Sequence, residues 1–170
     1  VVGVVGGITA KRLYDQAMVA KSDLEKAIPL VDQVQKSMLA GDTAAAKTTI
    51  AQISTLTGDA AKKTSTDLWR NSEWVPVAGP NLKAVRITAD LVNALVSDAL
   101  TPLSAIDVNA LKPKDGGIDL KNLQALATDV ETANKSMVAV QKNLKTVDRS
   151  ALIPQVADGV AKLDGAIAKI

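Results

Sequence analysis

Apolar residues recur along this chain at alternating spacings of three and four, in three separate stretches. The first is Leu13, Ala17, Ala20, Leu24, Ala27, Val31, Val34 and Met38. The second is Leu82, Val85, Ala89, Val92, Val96, Ala99, Leu103 and Ile106. The third is Leu123, Leu126, Val130, Ala133, Met137, Val140, Leu144 and Val147. This heptad spacing puts each set on one seam of a helix and predicts long, coiled-coil-like helices. Leu24→Asp, Val96→Asp and Val130→Asp are each expected to bring an unpaired charge into the core.

Punctuation between the seams sets the element boundaries. The first helix is predicted from about Ile8 to Ala40, roughly 50 Å at 1.5 Å per residue. Its seam passes through Pro29 in register, which reads as a kink and not as a stop. Gly41 ends it, and Asp42 caps the next. That second helix, 43 to 74, has the weakest seam: Ile50, Ile53, Thr57, Ala60, Thr64, Leu68. Threonine at core-type positions suits a wetter side of a bundle, and Gly58 offers a place for a break. Val75 to Pro80 cannot be helical throughout, because each proline disfavours helix at the residue before it. Pro80 suits the first turn of a third helix, which is predicted to run to about Ala110 with a kink at Pro102. Lys112 to Gly117 reads as a loop. Asp119 is placed to cap a fourth helix ending near Val147. Ser150 is placed to cap a fifth, Val156 to Ile170, with Val156, Val160, Leu163 and Ile167 as its apolar positions. Short loops between long helices imply antiparallel neighbours. The expectation is an all-α fold: an antiparallel up-down bundle of four long helices plus a shorter C-terminal fifth helix, over residues 9–170.

The chain opens on eight apolar residues, Val1 to Ile8, too few to cross a bilayer, which takes about 20. Two readings stand: the outer end of a membrane-spanning helix, or a flexible or docking terminus. The first is favoured, because small and β-branched apolar residues without a polar break suit a solvated tail poorly. Lys11 and Arg12 lean the other way, since basic flanks favour the cytoplasmic side. Residues 1–8 are accordingly read as the remnant of a transmembrane or docking segment, and the whole as part of a longer chain.

Composition narrows the chemistry. The chain has 170 residues, no His and no Cys. It therefore lacks the commonest general base and the two commonest soft metal ligands. A di-iron bundle needs Glu-x-x-His, so none is expected. The acidic residues from Asp115 to Asp119 are too sparse for a calcium loop. Lys21-Ser22 and Lys135-Ser136 are adjacent pairs, which do not face each other on a helix. No cofactor and no catalytic site are expected. Net charge is +2 from 20 basic and 18 acidic residues, and aromatics are 2%. A near-balanced surface without stacking rings points away from nucleic acid.

The densest unusual segment runs from Leu68 to Arg86 and holds both tryptophans. In one reading Trp69 and Trp74 plug the end of the bundle, with Arg70 or Arg86 stacked on an indole or bound to turn carbonyls. In the other, Trp69, Arg70, Trp74, Pro76, Asn81 and Arg86 form a partner-binding tip, since Trp and Arg are favoured at binding hot spots. The structural reading is the stronger of the two.

Leu-Trp-Arg at 68–70, Trp-Val-Pro-Val-Ala-Gly-Pro-Asn-Leu-Lys-Ala-Val-Arg at 74–86 and Leu-Thr-Pro-Leu at 100–103 carry a resemblance. The chain resembles a family of membrane-anchored actinobacterial proteins with a domain of unknown function. There a Trp–Pro–Gly turn and Leu-x-Ala-Val-Arg follow an N-terminal membrane helix and lie in an Ala-rich helical region. The resemblance is motif-like over 68–103. It implies an extracytoplasmic location anchored to the cell membrane, through a segment ahead of this chain, and a further domain downstream. It implies no activity. The expected function is a non-enzymatic structural or interaction module of a cell-envelope protein, partnered by a protein or by the downstream domain. The alternative is a ligand-sensing four-helix domain of chemoreceptor or sensor-kinase type, with Arg70, Arg86 or Arg149 at its site.

Overall fold

The computed structural model describes residues 2–104 and 120–167 and is helical, with no strand among the described residues. The predicted loop at 112–117, the Asp119 cap and the end of the third predicted helix near Ala110 lie outside the described residues.

Helix α1 spans Val2–Leu39 and continues through Pro29. It closes on Gly41, whose φ of 74° lies where only glycine sits without strain. Asp42 then caps α2 (Thr43–Thr64): its carboxylate accepts from the Ala45 N–H at 2.9 Å. This three-residue turn folds α2 back along α1. Near the turn, Ala27 and Val34 pack with Ile50 and Ile53. Further along, Ala20 packs with Ala60, Ala61 and Ala89. Alanine at all four positions lets three helices approach closely.

The seam threonines of α2, Thr57 and Thr64, are core residues and not a wetter side, whereas Thr48 and Thr55 face solvent. Thr49, Thr57 and Thr64 are buried. Their hydroxyls donate to carbonyls of their own helix, Thr49 to Ala45 at 2.9 Å and Thr64 to Ala60 at 3.0 Å. A β-branched side chain thereby packs like valine while its one donor stays satisfied. Gly58 does not break α2; a Cβ there would lie 3.5 Å from Asn93 Oδ1, an ordinary contact.

The break comes instead at Ser65-Thr66. A separate helix, α3 (Asp67–Ser72), starts there, with the Thr66 hydroxyl accepting from the Trp69 N–H. Helix α4 (Ala78–Leu95) follows, with Pro80 in its first turn. A π turn (Val96–Leu100) joins it to α5 (Thr101–Ser104). The Thr101 N–H and hydroxyl both reach Val96 O, five residues back. Pro102 has no N–H for the preceding turn, and the widened turn accommodates it where a kink was expected.

Helix α6 (Leu120–Leu144) carries the third seam, and only its second half is buried. Ala133, Val140 and Leu144 are in the core with Leu95, Ala99, Val160 and Ile167. Leu123 is exposed and Val130 is 49% exposed, so the expectation of a core Val130 is corrected. A seven-residue repeat drifts about 20° per heptad around a straight helix, so a seam that starts outward can end inward. A 3-10 turn (Arg149–Ala151) leads to α7 (Pro154–Ile167). Val160 and Ile167 of α7 are buried, and Leu163 packs against the same cluster. Helix α7 lies on α4 and α6.

Candidate functional site

The α3–α4 corner combines three features: an internal anchor, a strained turn and an exposed apolar edge. Trp69 is the anchor. It is fully buried, and its indole N–H donates to Leu82 O at 2.9 Å. The ring thus ties α3 to the first turns of α4, and its one polar atom is satisfied.

Arg86 supplies the second tie. Its guanidinium forks onto Glu73, with Nε on one carboxylate oxygen and Nη2 on the other at 3.1 Å. Asp90 Oδ2 stands 3.5 Å from Nη1. The Glu73 hydrogen bonds raise the Arg86 pKa further, against the opposing effect of partial burial. Both partners are mostly covered, which makes the bidentate pair worth more than a surface ion pair.

Asn81 supplies the third. Its amide NH2 donates to Val77 O at 2.8 Å and reaches Ala151 O at 3.5 Å. Its carbonyl accepts from the Ile153 N–H at 2.8 Å. One buried side chain thus joins the corner to the α6–α7 connection, about seventy residues away in sequence.

Between these ties the backbone is forced. Val77 has φ 68° and ψ −49°. The Ala78 N–H bonds back to Pro76 O at 2.8 Å, closing a γ-turn on a β-branched residue. The Gly79 N–H bonds to Val75 O at 2.7 Å. A Cβ on Gly79 would lie 2.0 Å from Glu73 O, so only glycine fits there.

The outer side of the corner is apolar. Trp74 is 80% exposed and Val77 is 77% exposed; Val75 and Pro76 are exposed beside them. Arg70 is also exposed. Of the six sequence-selected residues, the structure therefore brings Trp69, Asn81 and Arg86 together as internal supports. It leaves Arg70, Trp74 and Pro76 on the outside. Trp69 is buried, whereas Trp74 is exposed and plugs nothing, so the expectation for Trp74 is corrected. No stacking of Arg86 on an indole was needed, because a carboxylate was within reach. Sequence reasoning missed Val77 and Gly79. The Pro-Val-Ala-Gly-Pro run signalled a turn, but positive φ at a valine has no sequence signature.

A groove of about 370 Å³ runs beside the corner, lined by Glu73, Pro80, Lys83, Ile87, Val147 and Asp148 among others. Among the described residues no group of three or more His, Cys, Asp or Glu side chains is placed to hold a metal ion. No described helix is long and apolar enough to cross a membrane. Compared with known protein families, curated proteins and solved structures, the chain matches none.

Proposed function

We propose that the chain is a non-enzymatic helical module of a membrane-anchored, extracytoplasmic cell-envelope protein, and that the α3–α4 corner is its interaction surface. In this reading α1, α2, α4 and α6 alternate in direction as an up-down bundle, with α7 as a shorter fifth helix. The observation that supports it most is the display of Trp74 and Val77 on a strained, heavily restrained turn. A corner that only joined two helices would do so at lower cost with polar turn residues. Strain of this kind persists only where surrounding contacts over-determine it, and it gathers at binding and switch sites. The Trp–Pro–Gly resemblance supplies the membrane and envelope side of the proposal.

The ligand-sensing alternative is less well supported. It needs an arginine facing a space between helices. Arg86 is held by Glu73 and Arg149 by Asp164 at 2.8 Å. The hollow between α4 and α6, lined by Leu91, Ala94, Asp98, Ser136, Val140 and Asn143 among others, has no arginine in its lining.

The test is a topology reporter, active only outside the cytoplasm, inserted after residue 170 of the native protein and followed by fractionation. Reporter activity in the membrane fraction is the expected result. An inactive reporter in the cytoplasmic fraction would overturn the proposal.

A further inference from the structure

Helix α1 and the corner share one end of the molecule. Ala20 packs against Ala60, close to the end of α2 at Thr64. From Ala60 to Thr64 is about 6 Å of helix, whereas from Ala20 back to Val2 is about 27 Å. Helix α1 therefore overshoots α2 by about 20 Å, and α3 lies against it. The overshooting turns are those of the apolar opening sequence, followed by Lys11 and Arg12.

Charge at this end favours an anionic contact. Arg12, Lys62, Lys63, Arg70, Lys83 and Lys145 outnumber Asp59, Asp67, Asp148 and Asp90, the last sharing Arg86 with Glu73. Lys11 with Asp15, Arg86 with Glu73 and Arg149 with Asp164 are spent in ion pairs.

We propose that the corner docks on an anionic lipid surface, with Trp74, Val75 and Val77 entering the boundary between headgroups and acyl chains. Arg70 and Lys83, on the two helices that meet at the corner, are then the cations that meet the headgroup phosphates. Tryptophan suits this boundary because its ring is apolar and its N–H still needs a partner. A few apolar side chains give only weak binding alone, but a chain already tethered needs little more, because its local concentration is high. The proposal rests on the membrane-anchored reading above and names what the interaction surface of that reading touches.

The two tryptophans make the test direct. Trp69 is buried and Trp74 is exposed, so an emission change on docking reports Trp74. The 170-residue chain is mixed with vesicles of phosphatidylcholine, with or without phosphatidylglycerol. Lipids brominated near the headgroup serve as quenchers. Partition is expected to rise with phosphatidylglycerol and fall with salt, with a blue shift and quenching of Trp74. Val77→Asp is expected to weaken partition roughly tenfold. Val77→Gly relieves the backbone strain, so it is expected to fold at least as well and still bind less.

Three results would overturn the proposal. One is no partition, which leaves the corner to a protein partner. Another is partition indifferent to phosphatidylglycerol. The third is vesicle binding with Trp74 still open to aqueous iodide, which means that α1 inserts alone. None of these alters the reporter result, whereas a cytoplasmic reporter removes the membrane side itself.

Discussion

Gly79 and Val77 lie two residues apart and reverse the usual preferences for each residue type. Gly79 is helical and would ordinarily gain from a methyl group, but its Cβ would strike Glu73 O at 2.0 Å. Gly79→Ala is expected to cost about 3 kcal/mol in denaturant unfolding. Gly159 and Gly165 of α7 have nothing within 4 Å of an added Cβ. Gly159→Ala is expected to stabilise by about 0.5–1 kcal/mol, because alanine loses less backbone entropy in a helix. Val77 holds a conformation that suits glycine, so Val77→Gly is expected to raise stability by about 1 kcal/mol. If Val77→Gly melts earlier than the native chain, the turn is not strained. Asp148 carries the clearest pH effect at this end. The Ser150 hydroxyl, at 2.6 Å, and the Ser150 N–H hold its carboxylate below the ordinary range. A depressed carboxylate contributes stability above its unfolded value and loses it as pH falls through its folded value. With no histidine in the chain, the melting temperature is expected to stay level from about pH 6 to 8 and to fall only in acid.

Among the elements, the seams divide into those that reach the core and those that do not. Val96 is buried, in the cluster with Ala27 and Ile53, and Val96→Asp is expected to cost more than about 4 kcal/mol or to prevent folding. Val130 is half in water, so Val130→Asp is expected to stay within about 0.5 kcal/mol of the native chain. Equal damage from both would mean that α6 turns its other face inward. The sequence states which residues share a stripe but not how far the stripe rotates against a partner, which is why Val130 was misjudged. Helix caps were legible where a side chain does the capping, as at Asp42. Thr66 carries the same kind of signal, but the weak α2 seam runs on in register to Leu68 and hides it. The π turn was only half legible: Pro102 announced a disturbance, and its form depends on the Thr101 bond to Val96. At the candidate site, Trp69 and Trp74 look alike in sequence. What separates them is Leu82 O, which meets the indole N–H of Trp69 and depends on how α4 leaves the corner.

In the whole molecule, the corner is tied to the far end of the chain through one amide. Asn81 is buried, and it bonds the corner at Val77 and the α6–α7 connection at Ile153. The Arg86–Glu73 and Trp69–Leu82 ties act within the α3–α4 corner, whereas Asn81 also reaches the second half of the chain. Asn81→Ala leaves Val77 O and the Ile153 N–H without their partner, and is expected to cost about 2 kcal/mol. Asn81→Asp keeps the acceptor for Ile153 but loses the donor and sets a carboxylate against the Val77 and Ala151 carbonyls, so it is expected to cost at least as much. Hydrogen exchange separates this from a simple loss of stability. If Asn81 is the tie, the Ile153 and Gly79 amides in Asn81→Ala should exchange faster than the global unfolding rate allows, while the Ala20–Ala60 contact region keeps its protection. Uniform loss of protection along the chain would mean that Asn81 is one stabilising contact among many. The corner would then be positioned by α3 and α4 alone. Its apolar edge would owe its orientation to Trp69 and Arg86, and not to the α6–α7 connection.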